Sequence, residues 1–138
     1  MRAVVQRVSS AAVTVDGEEV GRIGAGMMVL LGVTHGDGPQ EAERMATKLL
    51  KLRIFEDGSG RMNEPLGERE VLCVSQFTLY ADTSSGNRPG FKDAAPGDVA
   101  EPLYRDVCER LDARTGVFGA DMKLDIAGDG PVTILIDV

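Results

Sequence analysis

Two short stretches carry the groups best suited to chemistry. Ser75-Gln76-Phe77-Thr78-Leu79 continues the apolar run Val71-Leu72-Cys73-Val74, and Gly130-Pro131-Val132-Thr133 joins a polar turn to a strand-like segment. Thr78 is the obvious hydroxyl nucleophile, but a threonine attacks only when a base lies within hydrogen-bond reach, and none is supplied nearby in sequence. Its plainer role is that of a β-branched strand residue, with Ser75 and Gln76 satisfying strand-end hydrogen bonds. The Gly-Pro pair offers something else: two carbonyl oxygens on a backbone with no Cβ at the glycine and no N–H at the proline. Such a backbone can sense shape at a chiral carbon.

Familiar catalytic machinery is missing. His35 is the single histidine and lies in the turn His35-Gly36-Asp37-Gly38, so it reads as a surface-turn residue and not as part of a Ser-His-Asp triad. Cys73 and Cys108 show no CxxC spacing and read as buried free thiols, which leaves no zinc site and no sign of a metal. Gly24 and Gly26 fit no nucleotide-cradling pattern, so no cofactor is implied. The chain has no tryptophan, and its four phenylalanines do not alternate with basic residues as a stacking platform requires. A net charge of −7 is the wrong sign for a protein that grips nucleic acid chiefly through phosphates. Any nucleic-acid partner must meet a local basic patch, for which Arg2, Arg7, Lys48, Lys51 and Arg53 are the candidates.

These residues must be positioned by one domain, 1–138, long enough to bury roughly two-thirds of its unfolded surface. Residues 2–8 and 11–15 read as two strands broken at Ser9-Ser10, and 18–23 as a third, joined by the Asp16-Gly17 turn. Residues 27–33 carry no polar side chain and fit a strand covered on both faces. Ala42, Met45, Ala46, Leu49 and Leu52 recur at helical steps, predicting a helix over 40–52. A second helix is expected to start at Asp98 with Glu101 completing a capping box, Pro102 in the first turn or so, and Val99, Leu103, Val107 and Leu111 on its apolar stripe. Further strands are expected at 52–55, 71–77, 122–126 and 132–138. The expected architecture is one compact α/β domain of curved, mostly antiparallel mixed β-sheets flanked by two helices. Residues 80–97 form the longest loop, directly after the Ser-Gln-Phe-Thr segment, and a loop of that length invites a functional role. No leader-like segment follows Met1, and the longest apolar run, 27–33, is far too short to span a bilayer, so a cytoplasmic address is expected.

The two opening segments, in company, resemble the paired signature of the D-aminoacyl-tRNA deacylases. The likeness extends through Met1-Arg2-Ala3-Val4-Val5-Gln6-Arg7-Val8, Arg53-Ile54-Phe55-Glu56-Asp57, Gly60-Arg61-Met62-Asn63, Asn87-Arg88-Pro89 and Thr115-Gly116-Val117-Phe118-Gly119-Ala120-Asp121-Met122. What the resemblance implies is hydrolysis of the ester joining a D-amino acid to the 3′ end of tRNA, by a homodimer needing neither metal nor organic cofactor. It implies a cis Gly130-Pro131 bond inserted into the partner's active site, with its carbonyls excluding an L side chain. It further implies oxyanion-holding backbone N–H groups around Ser75, Gln76 and Phe77, Thr78 in the same pocket, and Phe118 and Met122 walling the terminal adenine. Hydrolysis would be assisted by the adenosine 2′-hydroxyl, and glycyl-tRNA would pass the filter. Three alternatives stand beside this: Thr78 as covalent nucleophile, a non-catalytic module binding the aminoacyl-tRNA end, and an editing enzyme with a trans Gly-Pro bond. One departure is Gly128, where the family usually has asparagine, which bears on how firmly the Gly-Pro turn is held.

Overall fold

The strand β1 (Arg2–Val15) organises everything else. The computed structural model describes all 138 residues. The first half of β1 pairs antiparallel with β3 (Gly26–Gly32), and its second half with β2 (Glu18–Ile23). On its other side β8 (Lys123–Asp137) runs antiparallel along both halves. A strand that changes partners midway must bend, and the register slips between Gln6 and Val8 and between Val8 and Ser10 absorb the bend. The two strands expected at 2–8 and 11–15 are therefore one, because Ser9 and Ser10 stay extended through the irregularity. The strands expected at 122–126 and 132–138 likewise merge into β8. The Asp16-Gly17 turn is as expected, with φ of 50° and 79°.

The sheet continues from β3 through parallel pairings to β6 (Glu70–Ser75) and β7 (Arg114–Thr115), giving the order β2-β1-β3-β6-β7. Each parallel step needs a crossover, and the two helices supply them. The first, α1 (Pro39–Lys51), starts at Gly38, whose N–H donates to the Glu41 carboxylate at 2.7 Å. It buries Ala42, Met45, Ala46 and Leu49, while Leu52 closes it by donating to Leu49 O instead of opening a strand. A small hairpin, β4 (Phe55–Glu56) with β5 (Met62–Glu64), fills the rest of that crossover.

The second helix, α2 (Gly97–Arg110), departs from expectation at its start. Pro96 occupies the cap with no side-chain hydrogen bond, and Glu101 pairs with Arg105 at 2.6 Å one turn on, so no capping box forms. The buried stripe is Ala100, Tyr104, Val107, Cys108 and Leu111, whereas Val99 is exposed. Val107 and Leu111 are as expected and Leu103 packs at the core's edge, while the stripe widens to let Tyr104 and Cys108 face β6.

Two apolar clusters result. The larger joins both helices to one face of the sheet, including Val5, Val29, Leu49, Cys73, Tyr104 and Val107. The smaller lies on the opposite face, where Val8, Val13, Ile23, Met28, Leu72 and Val74 meet beneath Leu30, Met122 and Leu124. The architecture is the expected single domain of curved mixed sheet, mostly antiparallel, with two helices. None of its helices is long and apolar enough to cross a membrane.

Candidate active site

Strand β6 ends at Ser75, two residues before the expected boundary. The Gln76 N–H donates to Leu31 O at 2.8 Å, and the chain then turns into a 3-10 helix over Phe77–Tyr80. The first hydrogen bond of that turn runs from Leu79 N–H to Gln76 O at 3.3 Å, leaving the Phe77 and Thr78 amides ahead of it. The Gln76 amide is thus committed to the sheet, and the free donors of this segment begin at Phe77.

A cavity of about 550 Å³ opens at this strand end, on the seam between the two apolar clusters. Ser75, Gln76 and Phe77 line it together with Phe118, Met122 and Phe91. Five of the expected site residues therefore share one cavity. Thr78 does not line it; it is exposed in the 3-10 turn. Phe118 is backed by Tyr104, ring centroids 5.8 Å apart, and the Tyr104 phenol donates to Cys73 O at 2.8 Å. Met122 owes its position to Gly116, since a Cβ there would stand 2.5 Å from Met122 Sδ.

The long loop after the 3-10 turn forms one wall. It is tied down by paired bonds between Asp82 and Gly90, by Ala95 N–H to Val33 O at 3.0 Å, and by the Thr34 hydroxyl to Asp93 O at 2.6 Å. So held, it brings Phe91 edge-on to Phe77 with centroids 5.0 Å apart. His35 serves the same loop, with Nε2 2.7 Å from Lys92 O, and stands outside the cavity.

Gly130 and Pro131 lie elsewhere. Between the Gln6–Thr133 and Val8–Gly128 pairs, residues 129–132 of β8 leave the ladder, with 129–131 exposed, Val132 packed on the core and a cis Gly130-Pro131 bond at the centre. Arg7 occupies the gap. Its side chain is buried, donating to Ile54 O at 2.8 Å and to Asp129 O at 3.2 Å, with the Asp129 carboxylate 3.3 Å away. Gly130 has a φ of +125°, and a Cβ there would come within 3.2 Å of the Arg7 guanidinium. Arg7 therefore does not belong to a surface basic patch, as its residue type suggested; on β1 it shares the buried parity of Ala3 and Val5. Arg2 is also engaged, pairing with Asp137 at 2.8 Å, donating to Leu79 O at 3.0 Å and lying over the Tyr80 ring.

The family model described as D-Tyr-tRNA(Tyr) deacylase matches residues 4–137. The chain belongs to the D-Tyr-tRNA(Tyr) deacylase family. A D-aminoacyl-tRNA deacylase of Anaeromyxobacter dehalogenans is 55% identical over 144 residues, covering 99% of this chain and 97% of that one. One of Opitutus terrae is 52% identical over 145 residues, with shares of 99% and 97%. Among solved structures, a c-Myc DNA unwinding element binding protein superposes with a TM-score of 0.94 at 44% identity, over 100% of this chain and 99% of that one. A probable eukaryotic D-amino acid tRNA deacylase shares the fold at a TM-score of 0.84 and 19% identity, over 99% and 98% of the two chains.

In this member of the D-Tyr-tRNA(Tyr) deacylase family the cavity is nearly free of charge. Asp121 is its one ionisable side chain. The groups behind the wall are held neutral: hydrogen bonding with Cys108 and complete burial push the Cys73 thiol up, and burial does the same to the Tyr104 phenol. Tyr80, on the far side of the 3-10 turn, is pushed up to about 12 by burial and the Asp37 carboxylate. Cys73 is then no nucleophile, and neither cysteine lines the cavity. What the cavity offers a substrate is backbone donors and aromatic or thioether surface.

Two contributors escaped the sequence reading. Phe91 sits in a loop marked by its length, its place after the Ser-Gln-Phe-Thr segment and Asn87-Arg88-Pro89, none of which singles out the phenylalanine. Arg7 was visible as a charge at a buried strand position, which calls for a buried partner.

Proposed function

We propose that the protein hydrolyses the ester bond of D-aminoacyl-tRNA, releasing the amino acid and free tRNA, and that glycyl-tRNA is a second substrate. The observation that carries the reading is the meeting of Ser75, Gln76, Phe77, Phe118 and Met122 around one cavity with a single ionisable side chain, in a chain of this family. The terminal adenine lies against Phe118 and Met122, and the ester carbonyl oxygen accepts from the Phe77 amide. Water adds to the carbonyl carbon, the bond to the ribose oxygen breaks, and the water's proton passes to that oxygen. An aminoacyl ester is already activated, and the vicinal 2′-hydroxyl of the adenosine assists the water, so the protein mainly positions and polarises.

Selection rests on Gly130-Pro131 of the partner subunit in a homodimer. Supporting this, the pair is exposed and outside the cavity of its own protomer, and Leu135 on the same strand is 69% exposed. The two carbonyls face the α-carbon and occupy the space of an L side chain, so a D residue and glycine both pass. The departure at Gly128 leaves this intact: no atom lies within 4 Å of where its Cβ would stand, and Arg7 holds the neighbouring Asp129. A covalent route through Thr78 lacks a base, because His35 is bound to Lys92 O and Thr78 lies off the cavity.

The decisive experiment is hydrolysis of matched D- and L-tyrosyl-tRNA by one preparation, with glycyl-tRNA alongside and the mass in solution measured. Release of D-tyrosine and glycine but not L-tyrosine, by a species of twice the chain mass, is expected. No release from any substrate would leave a mere binding module, and release of L-tyrosine or cleavage by a monomer would overturn the Gly-Pro filter.

A further inference from the structure

The chain carries 15 lysines and arginines against a net charge of −7. Seven of the 15 lie within 4 Å of a carboxylate, and eight do not. Four of those eight, Arg44, Lys48, Lys51 and Arg53, line one open groove of about 760 Å³ between α1 and the end of β8. Arg44, Lys48 and Lys51 follow one another at four- and three-residue steps, so they share a face of α1, and all four side chains are exposed. Lys48 and Lys51 in the last turn complement the helix dipole, but Arg44 and Arg53 lie outside that turn and need another account. Arg53 is also oriented: its Nε donates to Asn63 O at 2.7 Å, and its guanidinium bonds the Asn63 side chain. Of the two carboxylates on the groove, Asp137 is already paired with Arg2, leaving Glu43 against four cations.

The groove and the cavity are connected through the 3-10 turn by way of Arg2. Phe77 lines the cavity at one end of the turn, while Leu79 O accepts from Arg2, which holds Asp137 on the groove's edge. We propose that the Arg44, Lys48, Lys51 and Arg53 groove binds the phosphate backbone of the tRNA acceptor stem while the 3′ end occupies the cavity. The inference rests on the function proposed above. It explains how so acidic a protein holds a polyanion: repulsion over most of the surface and attraction along one track set the direction of approach.

The test is the double variant Lys48→Glu with Lys51→Glu. For D-tyrosyl-tRNA its KM rises about tenfold at unchanged kcat. The plot of log kcat/KM against log salt becomes shallower by about 2, close to one counterion for each duplex phosphate that the groove no longer neutralises. The D-tyrosyl ester of adenosine, which has no stem, is hydrolysed alike by parent and variant. Unchanged KM and salt slope for the tRNA substrate would overturn the proposal, as would an equal loss on the short ester, or a change in assembly state marking the groove as a subunit contact. Anisotropy of labelled uncharged tRNA reads the groove without catalysis. If the parent hydrolyses nothing yet binds tRNA more tightly than the variant, the groove stands and the catalytic reading falls; equal binding sinks the groove.

Discussion

The two stretches best suited to chemistry are built on opposite principles. Ser75-Gln76-Phe77 ends a buried strand: Leu72 and Cys73 are wholly inaccessible, and Gln76 is bonded to the neighbouring strand. Gly130-Pro131 stands on an exposed bulge that leaves the β1 ladder, held on one side by Arg7 through Asp129 and on the other by Val132 packed on the core. Core packing thus fixes the first, through many small apolar contacts, while the second depends on a few charge-assisted hydrogen bonds. A site that relies on main-chain atoms needs both, because a backbone cannot adjust as a side chain does. The comparison predicts that damage at the bulge is concentrated in one residue, whereas damage at the strand end is spread over several.

Among side-chain replacements, removing Arg7 gives the largest expected effect. Arg7→Met keeps much of the stem but leaves Ile54 O and Asp129 O without their donor. Hydrogen bonds to charged groups contribute about 1.5–3 kcal/mol each, so chemical denaturation should report a loss of that order. Activity on D-tyrosyl-tRNA should fall about 10²-fold, the scale expected when a positioned group moves by roughly an ångström. The ratio of D- to L-tyrosyl-tRNA hydrolysis should fall as well, which a purely structural role would leave alone. Arg7→Lys should recover stability but little selectivity, since an ammonium cannot fork between two carbonyls. An Arg7→Met protein with parental selectivity would remove the distinction between the two regions.

At the strand end a single methyl is the sharper probe. Gly116→Ala would set a Cβ 2.5 Å from Met122 Sδ, and that flexible end can yield only by moving. Overpacking of this kind costs about 1–3 kcal/mol. Met122 swings into the cavity, and KM for D-tyrosyl-tRNA should rise about tenfold with kcat less affected. A fall in kcat at constant KM would mean that Met122 bears on the reacting ester and not on the adenine.

How far each region could be read from sequence follows the same division. The strand-end motif was legible because burial writes itself as an apolar run, and both helices and the Asp16-Gly17 hairpin were legible from period and turn chemistry. Continuity was not: Ser9-Ser10 and 127–131 look like breaks, yet β1 and β8 run on because the two strands pair with each other on both sides of the irregularity. The expected strand through Phe77 failed for a local reason, since the Gln76 amide bonds Leu31 and the chain then turns. Arg7 misled because residue type outweighed parity. The adenine wall was legible only as a family motif, because Phe118 and Met122 meet β6 across more than forty residues of chain.

Acid probes the scaffold that carries both regions. The Glu41 carboxyl is held below its ordinary range by accepting from the Gly38 N–H at the start of α1 and from its own backbone. A carboxyl depressed in the folded state contributes stability that is complete above its unfolded pKa, about 4.3, and lost as pH falls through the folded value. Tm should therefore drop more steeply below about pH 4 for the parent than for Glu41→Gln, with the two curves converging at the acid end. Parallel curves would mean that the Gly38–Glu41 bond contributes nothing to α1.

The smallest effect should come from the residue that looked most like a catalyst. Thr78 follows Phe77 by one position, but the 3-10 turn carries its side chain to an exposed position off the cavity. The group that matters there is the neighbouring Phe77 amide, and alanine at position 78 leaves it in place. Thr78→Ala should then keep kcat for D-tyrosyl-tRNA within about fivefold of the parent, against the ~10²–10³ expected for loss of an oxyanion donor. Thr78→Pro disfavours the turn conformation at Phe77 and so displaces the Phe77 amide, and it should approach the larger figure. The contrast between these two substitutions at one position separates side-chain from backbone catalysis: a Thr78→Ala protein as inactive as Thr78→Pro would restore the hydroxyl as nucleophile.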